Sequence, residues 1–270
     1  MYKEFYGLKE NPFNVTSDPH FLYLSKRHRE ALASLVYGIE ARKGFIEITG
    51  DIGTGKTTLC RALLNELNSK TKTAFILNPR LSEIQFIRAI IEDFGLQVKK
   101  NSKIEMIKAL NQFLLEQLSS GNNVVLIIDE AQNLRNNILE EVRLLSNLET
   151  EKEKLFQIIL VGQPELKQKL SSPDLTQLKQ RIAIRYHIKP LDEPDVGGYI
   201  THRLEIAGSN GNIKFCDDAV DEIYDYSKGV PRLINIVCDR SMLLGYVKEI
   251  RDFHNDVVKQ AISEIEGRPI

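Results

Sequence analysis

The sequence predicts an α/β fold: a five-stranded parallel sheet with helices on both faces, followed by a small all-helical domain. Three observations carry this expectation. Five short apolar segments recur along the first 190 residues with helical segments between them, the pattern of a parallel sheet buried on both sides. One of the five runs into Gly50-Asp51-Ile52-Gly53-Thr54-Gly55-Lys56-Thr57, which fits the phosphate-binding loop G-x-x-x-x-G-K-[ST] without a mismatch. Past Pro190 only helical periodicity remains, to Glu266, broken at Gly208-Ser209-Asn210-Gly211 and at Gly229-Val230-Pro231. The boundary falls near Leu191, giving domains 1–190 and 191–270.

Each element has its own signal. Residues 1–24 hold Pro12, Pro19 and several aromatics and form no long periodic segment. Ser25 is placed to cap a helix through Ala31-Leu32-Ala33-Ser34-Leu35 to about Arg42. Phe45–Thr49 reads as the strand before the phosphate loop, and Thr58–Leu64 as part of the amphipathic helix after it. A strand over Thr73–Asn78 precedes a helix from Ser82 to about Phe94. After Gly95 a helix spans Ser102–Leu118, and Val124–Ile128 is a wholly apolar strand. A helix from about Asn137 to Leu148, a strand over Phe156–Val161 and a last strand over Ala183–Ile188 complete the domain.

Bulk properties exclude several classes. The 270 residues are 27% charged and 42% hydrophobic, ordinary for a globular protein. A net charge of −1 supplies no global field favouring nucleic acid or an anionic membrane. Cys60, Cys216 and Cys238 lie far apart, without metal-ligand or redox spacing, and suggest reduced thiols in the cytoplasm. The five histidines (His20, His28, His187, His202, His254) are scattered, so no zinc site is readable. Met1–Tyr6 lacks the apolar core of a signal peptide, and no apolar run approaches the ~20 residues of a membrane helix.

The chemistry concentrates in two places. In the loop Gly50–Thr57, glycines let the backbone wrap phosphates with its N–H groups inward, and the start of the following helix, including Thr58, adds partial positive charge. Lys56 is placed to reach the β- and γ-phosphates and the Thr57 hydroxyl to hold Mg²⁺. The strand Val124–Ile128 ends in Asp129-Glu130, the pattern of a Walker B segment: Asp129 toward the Mg²⁺ shell, Glu130 polarising water for attack on the γ-phosphate. The segment Thr73–Leu118 intervenes between the two motifs, which places another strand between their strands in the sheet and favours hydrolysis over transfer to a metabolite. Gln163, in Gly162-Gln163-Pro164, either senses the γ-phosphate and orients water or is an ordinary turn residue. Arg232 stands near a helix start, where an arginine is unfavourable, so it serves phosphate oxygens or a surface ion pair.

At this point the chain resembles an AAA+ ATPase of the ExeA/GspA family. The resemblance rests on Phe5-Tyr6-Gly7-Leu8-Lys9-Glu10-Asn11-Pro12-Phe13, Gly50–Thr58, Ile128–Leu134, Glu141–Glu149, Leu160–Leu166 and Gly229–Asn235, in that order over essentially the whole chain. It implies a P-loop NTPase αβα sandwich with a helical lid, an ATPase using ATP and Mg²⁺, and the N-terminal segment around Pro12-Phe13 near the adenine. It further implies Gln163 at the sensor 1 position, Arg232 at the sensor 2 position, and Arg181 as an arginine finger acting on a neighbouring subunit, with Arg185 as the fallback. A finger in trans implies a homo-oligomeric ring or filament.

Similar proteins include MshM and ATPases of type II secretion, exopolysaccharide and exosortase systems. The expected role is therefore driving or regulating assembly of such a system, in the cytoplasm or peripheral to the inner membrane through an envelope partner. Larger members continue into a transmembrane segment and a peptidoglycan-binding module; with the sequence ending at Ile270, contact with the cell wall is not expected and a pore role needs a separate partner. The alternative is a DNA-binding AAA+ regulator resembling the transposition ATPases. Lys99-Lys100 and the Arg135–Arg143 helix would supply its phosphate contacts.

Overall fold

The computed structural model describes residues 2–77, 81–98, 102–149 and 154–268. Lys99, Lys100 and Asn78 lie outside the described residues. In chain order the elements are α1 (Tyr2–Tyr6), α2 (Lys26–Glu40), β1 (Phe45–Gly50), α3 (Lys56–Glu66), β2 (Thr71–Ile76), α4 (Glu83–Asp93), α5 (Lys103–Ser119) and β3 (Asn123–Ile128). They continue as α6 (Asn136–Leu145), β4 (Gln157–Gly162), α7 (Pro164–Leu170), α8 (Thr176–Arg181), β5 (Ile182–Ile188) and α9 (Glu193–Ile206). The last are β6 (Lys214–Phe215), α10 (Asp217–Ser227), α11 (Pro231–Val247), β7 (Asp252–Phe253) and α12 (Asn255–Ile265). Packing divides the chain into two compact units: Arg29–Ile52 with Leu59–Ile188, and Met1–His28 with Gly53–Thr58 and Lys189–Ile270.

The first unit is built on a parallel sheet of order β2-β3-β4-β1-β5. A strand does lie between β1 and β3, and it is β4; β2 takes the edge beyond β3. Alternation along β3 divides the core. Val124, Leu126 and Ile128 pack with Phe86 and Ile90 of α4, Leu110 and Leu114 of α5 and Val142 of α6. Val125 and Ile127 join Leu35 and Ile39 of α2 and Leu59 and Leu63 of α3 on the other face. Both faces of the central strands are therefore dry, which is why their sequences are continuously apolar. Local signals set the helix starts: Ser25 Oγ accepts the His28 N–H, and Ser82 with Gln85 forms a reciprocal capping box ahead of α4. Helices α7 and α8, too short to show periodicity, occupy the stretch between β4 and β5.

The second unit has an aromatic core. Tyr6, Phe13 and Phe21 are buried with Tyr199, Phe215, Phe253 and the apolar faces of α9–α12, each burial contributing about 1.5–3 kcal/mol. Arg203 of α9 ties the N-terminal segment down: Nε donates to the Pro12 carbonyl at 2.5 Å, Nη2 to that of Asn14 at 3.1 Å, and its guanidinium lies 4.6 Å from the Phe21 ring centre. The C-terminal region departs from the expected purely helical pattern at one point: β6 and β7 pair in parallel, Phe215 opposite Phe253. Two-residue strands are too short for period-2 alternation to register in a sequence.

Candidate nucleotide-binding site

The phosphate loop leaves β1 at Gly50 and enters α3 at Lys56. Gly53 (φ 82°) and Gly55 (φ 90°) are in the left-handed region, where a side chain would be strained. Asp51 and Ile52 are exposed, Thr57 and Thr58 half-buried, Thr54 fully buried, and Lys56 only 7% exposed. At Gly53 the crowding is specific. A Cβ would stand 2.7 Å from Arg232 Cβ and 3.1 Å from Val230 Cγ1, and the Arg232 N–H donates to the Gly53 carbonyl at 3.3 Å. The turn before α11 explains this approach: Gly229 (φ 75°) lies so close to Leu191 that a Cβ would sit 1.9 Å from its carbonyl oxygen, and Pro231 begins the helix. Among the described residues the Arg232 guanidinium has no carboxylate partner.

A residue that spacing does not single out buttresses the same loop. His28, 4% exposed, pairs its Nδ1 with Ser25 Oγ at 2.8 Å and is hydrogen-bonded to the Thr54 backbone. Burial holds its pKa below the usual 6.5, against the upward pull of the Thr54 bond and of the Asp195 charge.

In the sheet unit, Asp129 follows β3 and is 2% exposed; its N–H donates to the Ile76 carbonyl, and its Oδ1 accepts the Glu130 N–H at 2.9 Å. Glu130 itself is left-handed (φ 52°, ψ 35°), a backbone state costing on the order of 1–3 kcal/mol for a residue with a side chain. Two amides hold one oxygen of its carboxylate. Gln132 Nε2 donates to Oε2 at 2.6 Å and Gln163 Nε2 donates to the same atom at 3.2 Å. Gln132 Oε1 in turn accepts the Gln163 N–H at 3.1 Å, linking the turn after β3 to the end of β4. Lys169, its pKa lowered by burial, donates to the carbonyls of Gln132 (2.7 Å) and Leu134 (2.5 Å) and fixes that turn.

The two candidate finger arginines differ in their commitments. Arg185 on β5 is paired with the buried Glu47 (3.3 Å) and donates to the Lys179 carbonyl (2.5 Å). Burial raises the Glu47 carboxyl's pKa, and Arg185 is the strongest charge opposing that rise. Among the described residues Arg181, the last residue of α8, makes one hydrogen bond, neutral at its acceptor, Nη1 to Ser146 Oγ at 2.8 Å, and its charge helps to hold the Glu140 carboxyl's pKa down.

An AAA domain is matched over residues 39–170. The chain is 42% identical to General secretion pathway protein A of Aeromonas hydrophila over 99% of its own length and 49% of that protein's. This chain carries an AAA domain and is a relative of general secretion pathway protein A. It is 26% identical to the Holliday junction branch migration complex subunit RuvB of Staphylococcus haemolyticus over 80% of this chain and 59% of that one. It therefore spans about half to three-fifths of these relatives. Its fold matches the Aeropyrum pernix ORC2 protein in ADPNP–ADP complexes, with TM-score 0.70 and 16% identity, covering 95% of this AAA chain and 72% of that one. No described helix is long and apolar enough to cross a membrane.

Sequence reasoning reached the two motifs of this AAA chain and missed Gln132, His28 and Lys169. Gln132 sits inside the segment Ile128–Leu134 that carries the resemblance, so a signal was present. His28 and Lys169 leave none, because what ties each to the site is backbone far away in the chain, that of Thr54 for His28 and the carbonyls of Gln132 and Leu134 for Lys169.

Proposed function

We propose that the chain binds MgATP and hydrolyses it, and that turnover drives or regulates assembly of a bacterial secretion, pilus or exopolysaccharide system. The observation that carries the enzymatic reading is the Glu130 carboxylate. Two amides hold its Oε2, while Oε1 has no protein partner among the described residues. This is the arrangement of a positioned general base with one lone-pair face left for water.

The roles follow from the donor sets. The backbone N–H groups of Gly50–Thr58 cradle phosphates; Lys56 and Arg232 supply cationic charge at the β/γ end. The cradle fits such a group, since Gly53 and Gly55 are left-handed and a Cβ at Gly53 would strike Arg232. Thr57 and the buried Asp129 are the hydroxyl and carboxylate that would hold Mg²⁺, which supplies charge neutralisation on the phosphates. Glu130 takes a proton from water attacking the γ-phosphorus, and Gln163 orients both the base and that water. Arg181 acts on the nucleotide of a neighbouring copy in a ring or filament. Its single neutral hydrogen bond supports that choice, because Arg185 is already paired with a buried carboxylate. The secretion-linked role is supported by the 42% identity to General secretion pathway protein A.

The DNA-directed reading has less support. Arg143 is held by both oxygens of Glu140, and Arg135 donates to the Leu81 carbonyl. The test of the main reading is phosphate release by purified protein against Glu130→Gln. Turnover abolished with ATP binding retained supports it, and equal turnover removes Glu130 from the mechanism. A gel shift that weakens with salt would favour the DNA reading.

A further inference from the structure

We propose that Cys216, His254 and Asp218 form a binding site for a soft divalent cation of the zinc class, apart from the nucleotide residues. The scaffold is the β6–β7 pair. Lys214 lies opposite Asp252 and Phe215 opposite Phe253, and the Cys216 N–H donates to the Phe253 carbonyl at 2.9 Å. The residue after each strand is therefore held beside the other: Cys216 as N-cap of α10, His254 as N-cap of α12. The rings of Phe215 and Phe253 stack with centroids 4.6 Å apart, which rigidifies the pair. Asp218, one residue into α10, accepts the Asn255 N–H on Oδ2 (3.1 Å) and faces His254 Nδ1 with Oδ1 (3.2 Å).

The chemistry follows from that last contact. A carboxylate only accepts, so Nδ1 carries the proton and Nε2 presents its lone pair. Nε2 lies 3.7 Å from Cys216 Sγ. A tetrahedral zinc ion with S at ~2.3 Å and N at ~2.0–2.1 Å separates those two ligands by about 3.6 Å. The pair already has the spacing of one edge of such a site, and the Asp218–His254 contact is the carboxylate–histidine arrangement that orients metal-bound imidazole. The metal ligands are thus Cys216 Sγ and His254 Nε2, with Asp218 orienting the imidazole, and donor atoms of the three side chains lie within 4.8 Å of one another. Cys216 is half-buried and the other two are exposed, so an ion has access, and water completes the coordination. On binding, the thiol S–H bond breaks and an S–metal bond forms, with the proton released to solvent and no change of oxidation state.

The test uses Co²⁺ on the reduced, tag-free full chain without nucleotide. Thiolate-to-Co²⁺ charge-transfer absorbance should saturate at one equivalent and be displaced by Zn²⁺. The phosphate-loop residues cannot produce that band, having no sulfur, and Cys60 and Cys238 are buried. Cys216→Ser should abolish it, His254→Ala should weaken binding at least tenfold, and Asp218→Asn should weaken it about 10–100-fold. Circular dichroism checks that the variants fold; if Cys216→Ser does not, the folded His254→Ala and Asp218→Asn proteins carry the test. Absence of the band at large Co²⁺ excess overturns the proposal, leaving a hydrogen-bonded pair of helix caps. So does a band unchanged in any of the three variants.

Discussion

Replacing Gln132 by Ala tests whether the amide clamp on Glu130 serves catalysis. The side chain makes two bonds: Nε2 to the carboxylate Oε2 at 2.6 Å, and Oε1 from the Gln163 N–H at 3.1 Å. The first is short and charge-assisted, the class of hydrogen bond that contributes about 1.5–3 kcal/mol. At 1.36 kcal/mol per tenfold in rate, losing the orientation it provides costs about 10- to 150-fold in kcat. The longer Gln163 bond (3.2 Å) remains, so the expected fall is about 10- to 100-fold. Because Lys169 holds the turn through the carbonyls of Gln132 and Leu134, truncating the side chain leaves the backbone anchored. Steady-state ATPase measurements should show kcat falling, with nucleotide affinity from fluorescent titration and Tm near wild type. Pairing the change with Gln163→Ala should give a non-additive loss, since both amides act on one oxygen. An unchanged or raised kcat in Gln132→Ala would refute the argument; a raised value would mean that the clamp restrains the base.

Lys56→Ala should abolish ATP binding in the same titration, because the β/γ-phosphates lose the cation of the loop, whereas Glu130→Gln should bind ATP and not turn it over. His28 gives a pH signature. Its folded pKa is depressed by burial, so the unfolded chain binds the proton more readily, and stability is full above about pH 6.5 and declines as pH falls below it. Differential scanning from pH 7.5 to 5.5 should show a steeper loss of Tm for wild type than for His28→Gln; parallel curves would contradict this. Arg181→Ala should keep nucleotide binding and lose most turnover, and mixing it with Lys56→Ala subunits, which retain Arg181, should restore part of the activity. No rescue, with a lowered Tm instead, would make Arg181 a structural residue bonded to Ser146.

Legibility in the sequence followed the range of the interactions. The phosphate loop and the Asp129-Glu130 strand end are local patterns whose backbone requirements are written in consecutive residues, as the left-handed Gly53 and Gly55 confirm. The central strands β1, β3 and β4 are readable because both their faces are buried, so their residues are apolar whatever their neighbours are, whereas the edge strands are buried only at Ala74 and Ile76 of β2 and at Ile182 and Ile188 of β5. The position of β2 beyond β3 was less accessible, since strand order depends on which crossovers pack, not on composition. The β6–β7 pair fell below the length at which alternation means anything. Cys216 and His254, 38 residues apart, consequently read as scattered until that pairing set them side by side.

The arginines show where sequence reasoning stops for a physical reason. Arg181 and Arg185 both lie near β5, four residues apart, and spacing alone treats them alike. Their environments do not. Glu47 is a carboxylate inside β1, and leaving it unpaired would incur the desolvation cost of a buried charge, so the neighbouring strand must supply a cation. Register decides which: Glu47 lies opposite Arg185. Removing Arg185 therefore strands a buried acid and should destabilise the sheet, while Arg181 gives up a hydroxyl contact and a through-space attraction to Glu140, whose carboxylate keeps its own partner in Arg143. A residue recruited to a neighbouring copy's nucleotide must be one its own fold can release, and of these two arginines Arg181 has the weaker hold.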